Sequence, residues 1–426
     1  MPRVFLPLLF TAFMVCHPVF SAELKSPDGN LVLTFEVKDF EGQTGCPVYS
    51  LSYKNQPVIV SSRLGFTLAA ELPLKDQFEL VSVQYSTEDN TWKPLYGERS
   101  TVRDHYNHLM VKLKRRQQPA HPMEIAFRCY DSGVAFRYNI QPVKPLVPFV
   151  IKEENTEFRF SGDHTAWVGQ WAQAVVEATA CSKIEAPMER PLVLQSKEGL
   201  HIALTEAHLL DGYARMKFNS LKDHPHGLNS VLSSEVSASW PLVTPWRVIM
   251  VAENAGKLLE NNDLILNLNA PNKIEDTSWI KPGKVIRDIT LTTRGGKACV
   301  DFAVKRNLQF VEFDAGWYGD EYSKDSDATR VNLDPKRSAG PLDLQEVIRY
   351  GKEKNIGIIL YVNQIALSRQ LDVILPLYQK WGIRGMKFGF VTVGSPEATT
   401  WLNKAVRKAA NHQLMVDIHD EYRPTG

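Results

Sequence analysis

The run His419-Asp420-Glu421-Tyr422-Arg423-Pro424-Thr425-Gly426 follows directly on a strand-like stretch, Gln413-Leu414-Met415-Val416-Asp417-Ile418. A carboxylate just past the C-terminal end of a strand is placed to activate water, and His419, Asp420 and Arg423 beside Glu421 can hold a sugar hydroxyl or orient that carboxylate. Two carboxylates flanking one bond are the usual means of glycoside hydrolysis, one acting as acid and the other as base or nucleophile. Adjacent residues lack the separation this requires, so the partner of Glu421 must come from elsewhere. The plainer alternative is that Asp420, Glu421 and Arg423 cap and salt-bridge a loop.

Two further groups carry chemistry. Asp314 stands near Trp317 and Tyr318, an acceptor for hydroxyls beside aromatic faces suited to a sugar's C–H side. The same residues also read as a turn cap and a core plug. Lys387 lies at a strand tip before Phe388 and Gly389, where its amine binds substrate or its stem covers apolar surface. Earlier in the chain, Trp167, Trp171, Glu177, Glu185, Glu189 and Glu206 collect carboxylates from separate segments, an oxygen-rich set of the kind calcium takes. No EF-hand spacing accompanies them, and solvated acidic loops are the plainer explanation of these residues by themselves.

The elements that must position these groups change character along the chain. Up to about residue 270 the pattern is short alternating strands with turns, such as Leu31-Val32-Leu33-Thr34-Phe35-Glu36-Val37, punctuated by Pro27-Asp28-Gly29 and Asp131-Ser132-Gly133. Period-two alternation over this length implies a large antiparallel sandwich. From Trp279 onward, five apolar strands alternate with helical stretches, the parallel β/α pattern with buried strands. An open doubly wound sheet gives the same linear pattern. Polar residues gathered at four strand C-termini, after Asp314, Tyr361, Lys387 and His419, favour the barrel. The expected units are a sandwich over 23–275 and the first five β/α units of an incomplete (β/α)8 TIM barrel over 276–426.

With 49 basic against 48 acidic residues, nothing draws the chain toward nucleic acid or an anionic membrane. No spaced-glycine fingerprint or Walker-type loop sits at a strand-to-helix turn, so no nucleotide cofactor is expected. Residues 1–22, with Arg3, an apolar run interrupted by Pro7 and small Ser21 and Ala22, read as a cleaved leader too short to span a bilayer. Export to the periplasm or medium follows. Export permits disulfides, but Cys46, Cys129, Cys181 and Cys299 are irregularly spaced and read as core thiols, or one bridge at most.

Taken together, Tyr96-Gly97-Glu98-Arg99, Asp131-Ser132-Gly133-Val134-Ala135-Phe136-Arg137-Tyr138, Thr205-Glu206-Ala207, Thr244-Pro245-Trp246-Arg247, Ser278-Trp279-Ile280-Lys281-Pro282-Gly283-Lys284, Phe313-Asp314-Ala315-Gly316-Trp317-Tyr318 and the closing His419 to Gly426 resemble glycoside hydrolase family 97. The resemblance covers essentially all of the mature chain. It implies an exported bacterial enzyme with a β-super-sandwich, a catalytic barrel, a small C-terminal β domain, and calcium where sandwich and barrel meet. It implies Glu189 or Glu206 as the sandwich's calcium ligand and Glu421 as one of the water-directing carboxylates. Retaining members of the family place an Asp nucleophile where this chain has Gly389, so an inverting, calcium-dependent, exo-acting α-glucosidase on α-linked oligosaccharides is expected, monomeric when complete. The general acid, the remaining calcium ligands and the last barrel units would then lie beyond Gly426. The alternatives are an inactive truncated homologue that still binds carbohydrate, and an α-galactosidase in which another nucleophile compensates for Gly389. Arg287-Asp288 departs from the family's more aromatic pattern and is expected to alter the pocket wall.

Overall fold

The computed structural model describes residues 20–69, 73–117, 122–141, 148–238, 241–338, 340–419, 421–423 and 425. Most of the expected leader, residues 1–19, and the candidate Asp420 lie outside the described residues.

Alternating side chains build the first layer. In Leu31–Phe40, Leu31, Leu33, Phe35 and Val37 turn inward while their neighbours stay partly exposed, the pattern of a strand with one buried face. Phe20–Lys25 pairs antiparallel along this strand and forms the edge of a seven-stranded sheet, so Phe20–Ala22, inside the expected leader, are part of that edge. A second, ten-stranded antiparallel sheet faces it, and a three-stranded sheet accompanies the pair. The inner faces of the large sheets interdigitate in one core that includes Phe35, Tyr49, Phe127, Phe136 and Tyr138. The hairpin at Asp131-Ser132 delivers Gly133 against the strand Trp246–Ala252, where a Cβ would meet the Ile249 carbonyl and Met250 Cα closer than 3.0 Å. Glycine is required there by close backbone approach. Among the described residues Cys46, Cys129, Cys181 and Cys299 are free thiols, and the first three are buried.

After the short helices Ala255–Glu260 and Asp263–Asn267 the chain enters a five-stranded parallel sheet. Its strands, in spatial and sequence order, are Val285–Asp288, Phe310–Phe313, Gly357–Asn363, Gly385–Gly389 and Met415–Ile418. Four helices alternate with them: Thr293–Arg306, Leu344–Glu353, Gln364–Trp381 and Pro396–Asn411. Each begins at a side-chain cap, Thr292, Asp343, Asn363 and Ser395 respectively, which accepts one of the first free helical N–H groups. Sequential strand order without a reversal is that of an open, incomplete barrel, not of a doubly wound sheet. Val311, Phe313, Ile358, Leu360, Val362, Met386 and Phe388 pack on the helix side, in a second core. Alternation therefore gives Glu312, Ile359, Tyr361, Asn363, Gly385, Lys387 and Gly389 to the inner face. Among the described residues no helix is long and apolar enough to cross a membrane.

Candidate functional site

Register sets the inner face row by row. Arg287, Glu312, Ile359 and Gly385 lie side by side; one step toward the C-terminal rim come Tyr361, Lys387 and Asp417, and at the rim Asn363 stands beside Gly389. Lys387 is 7% exposed, and its Nζ is 3.2 Å from Oε1 of Glu312 and 5.6 Å from the centre of the Tyr361 ring. Burial pushes the Glu312 carboxyl above the usual glutamate range, and the charge of Lys387 works against that rise. Asp314 is tied twice: its Oδ1 accepts the Ala315 amide at 2.9 Å, and its Oδ2 pairs with Arg287 Nη1 at 3.1 Å. The expectation that Arg287 alters the wall thus takes the form of a cation placed on Asp314. Asp288 is buried and caps the following turn by accepting from Thr290.

Trp317 is 0% exposed, and its Nε1 donates to the Tyr361 carbonyl at 2.8 Å. It therefore has no face to offer a sugar, and the substrate-binding expectation for Trp317 is corrected to that of a core plug. The sequence could not separate these readings, because an aromatic residue in the loop after a strand serves either purpose.

The residue that sequence reasoning missed is Glu321, in the long segment between Phe313 and Leu344. It is 4% exposed; Oε1 accepts from Arg337 at 2.8 Å, while Oε2 accepts from the Tyr361 hydroxyl and from Asn363 Nδ2 at 3.2 Å. Asn363 in turn caps the third helix through Oδ1, to the Ile365 amide at 2.9 Å. For Glu321 the one available signal was a carboxylate in a long loop at the C-terminal end of a barrel strand. Burial raises the Tyr361 hydroxyl's pKa strongly, and the hydrogen bond to Glu321 and its charge raise it further.

Gly389 is the hinge of this arrangement. A Cβ built there falls within 3.0 Å of Oη, Cζ and Cε2 of Tyr361, closer than real side chains come. The room beside Gly389 is thus taken by the Tyr361 phenol.

The other predicted residues sit at the junction with the sandwich. Glu421 Oε2 accepts the Ala172 amide at 3.2 Å, and Arg423 Nη2 donates to the Ala172 carbonyl at 3.1 Å. Both line a cleft shared with Arg190, Arg215, Val393 and Leu402, whose volume of about 30 Å³ suits one or two waters and no sugar ring. His419 extends from the fifth strand, its amide donating to the Phe388 carbonyl at 3.1 Å. Asp314 and Lys387 are thus held within the sheet, while Glu421 and Arg423 are held against the sandwich.

The calcium expectation meets arginines. Glu189 Oε1 lies 2.6 Å from Arg190, and its Oε2 lies 3.1 Å from Arg215 and 3.7 Å from Lys217. Glu206 is held by Arg190 at 2.5 Å and Arg247 at 2.8 Å, and Arg247 also forks onto Glu154 at 2.6 Å through both Nε and Nη2. Every carboxylate oxygen of the two candidates already faces a cation, so a dication there would sit against guanidinium groups. Among the described residues no three His, Cys, Asp or Glu side chains converge as a metal site. The residues present do not fit the ion, and the ligand expectation for Glu189 and Glu206 is corrected: they are links of a buried ion chain.

A β-sandwich leading into a parallel β/α unit, with carboxylates, a lysine and a tyrosine on the inner face of its strands, is the layout of a barrel glycosidase. The comparisons agree. The glycosyl-hydrolase 97 N-terminal family model matches residues 24–271 and the glycoside hydrolase 97 model matches 279–426; the chain belongs to glycoside hydrolase family 97. A retaining α-galactosidase from Bacteroides thetaiotaomicron is 25% identical over 95% of this chain and 65% of its own length. A probable retaining α-galactosidase from Streptomyces bingchenggensis is 24% identical over 71% of this chain and 48% of its own. The chain thus spans about two thirds or less of the curated relatives it matches. Among solved structures, a family 97 enzyme from Pseudoalteromonas sp. strain K8, seen in complexes with panose and with acarbose, superposes with a TM-score of 0.85 at 28% identity, covering 95% of this chain and 67% of that one. The expected inverting, calcium-dependent exo-α-glucosidase is corrected on these findings: the named curated relatives are retaining α-galactosidases, and no cluster of metal-ligating side chains is found among the described residues.

Proposed function

We propose that this chain carries the sandwich and the first five β/α units of a family 97 hydrolase acting on terminal α-galactosides. The reading is carried by the match of both family models across 24–271 and 279–426, joined to curated relatives named as α-galactosidases. The inner face supports it in kind. A Lys387–Glu312 ion pair and a Glu321 carboxylate held by Tyr361 and Asn363 make that face a polar, acid-rich one of the kind that lines sugar sites. Export on the leader-like residues 1–22 belongs to the same reading.

The test is hydrolysis of p-nitrophenyl α-D-galactopyranoside against its gluco epimer by the 426-residue chain. Faster cleavage of the galactoside is expected; faster cleavage of the glucoside overturns the substrate class. A second reading, sugar binding without catalysis, is favoured by one observation: the fourth strand ends in a glycine backed by a phenol and presents no carboxylate. Binding of melibiose by folded protein that cleaves neither aryl glycoside would select it.

A further inference from the structure

Two large aromatic side chains at the rim stand out in solvent, each directly after a buried residue. Tyr322 is 57% exposed and Phe390 50% exposed, and their rings pack with centroids 5.7 Å apart at 49°. Tyr322 directly follows Glu321, and Phe390 directly follows Gly389.

Both are held in place by their backbones. The Tyr322 amide donates to Asp320 Oδ1 at 3.0 Å, and the Ser323 amide to the Asp320 carbonyl at 3.0 Å. The same carbonyl accepts from the Ser326 hydroxyl, while Arg369 donates to the Ser326 carbonyl at 2.9 Å. Glu321, held by Tyr361 and Asn363 on the third strand and by Arg337 within its own segment, anchors this loop from inside, so Tyr322 faces outward. Phe390 has a φ of 49°, in the left-handed region that aromatic residues rarely adopt. Regular extension of the strand would turn it to the helix side with Met386 and Phe388. The left-handed step instead leaves the ring at the rim, and the Thr392 amide, donating to Gln364 Oε1, fixes the chain beyond it. A strained backbone that holds an apolar ring in water has a local cost, and such features collect at ligand sites.

We propose that Tyr322 and Phe390 form a stacking platform for the C–H face of a pyranose ring, a subsite beside the inner-face groups described above. The proposal rests on the α-glycoside reading. Two tilted rings present their negative faces to the weakly positive C–H groups of a sugar, whose hydroxyls stay in water or reach the polar rim. The pair lies where strand C-termini place substrate, one residue from Glu321 on one side and from Gly389 on the other.

Saturation-transfer NMR with melibiose, and with maltose as its epimeric control, tests this on the 426-residue chain, with circular dichroism as the check on folding. Tyr322→Ala and Phe390→Ala are each expected to weaken melibiose binding about five- to tenfold, while Tyr322→Phe keeps it. Unchanged affinity in both alanine variants, with sugar still bound, overturns the platform and leaves the α-glycoside reading standing. Folded wild-type protein that binds neither disaccharide overturns both. Binding through the pair without hydrolysis of aryl α-galactoside supports the platform and removes the catalytic reading. Alanine variants that gain solubility yet bind sugar normally mark the pair as a polypeptide contact, which also overturns the proposal.

Discussion

Gly389→Ala introduces a single methyl, and the structure gives its consequence. The new carbon falls inside 3.0 Å of three atoms of the Tyr361 phenol, so the ring must retreat by roughly 1.3 Å or more to reach an ordinary van der Waals separation. That ring is not a free end: its hydroxyl donates to buried Glu321, and its neighbour Asn363 shares the same acceptor. Overpacking alone costs about 1–3 kcal/mol. Loss of a hydrogen bond to a charged group adds about 1.5–3 kcal/mol, giving an expected destabilisation of about 2.5–6 kcal/mol. Urea unfolding followed by tryptophan fluorescence measures it, in a cycle with Tyr361→Leu. In the Tyr361→Leu background the methyl enters vacated space and is expected to cost less than about 1 kcal/mol, a coupling of about 2–4 kcal/mol. Equal costs in the two backgrounds would refute the argument that the phenol closes the space at Gly389.

The buried ion chain of the sandwich gives a pH dependence. Burial by itself would raise the Glu154 carboxyl, but the charge and hydrogen bonds of Arg247, with hydrogen bonds from Tyr213 and Thr156, bring it below its ordinary value. A depressed carboxylate contributes stability above its unfolded pKa and loses it as pH falls through the lower folded value, so unfolding scans of wild type should drop below about pH 4 and those of Glu154→Gln should be flatter there. Arg247→Gln leaves Glu154 and Glu206 without that cation and should cost about 3–5 kcal/mol in denaturant unfolding. Because arginines already occupy Glu189 and Glu206, chelator or added millimolar calcium should leave the melting temperature of this chain unchanged; a shift of several degrees would show that those carboxylates accept the ion. Trp317→Ala should cost about 3–5 kcal/mol of stability as a buried core truncation, and a Trp317→Phe variant that folds should bind melibiose as wild type does.

Local pattern settled more about this protein than its site did. Alternation in stretches such as Leu31–Phe40 and the strand–helix rhythm after Trp279 are short-range properties of the chain, because a side chain's face is set by the strand or helix period it occupies. Both layers and the tips carrying Asp314, Lys387 and His419 could therefore be read before any contact was known. The partners of charged groups are a different matter, since they join residues far apart in sequence. Glu206 meets Arg190 and Arg247, Lys387 meets Glu312, and Glu421 meets Ala172, and only the packing of sheets and loops decides these pairs. A carboxylate looks the same in sequence whether it faces an arginine, a metal or a sugar. Gly389 shows the limit most clearly: composition says that its side chain is absent, but only the tertiary structure shows that Tyr361, oriented by Glu321 from a distant loop, has taken the room.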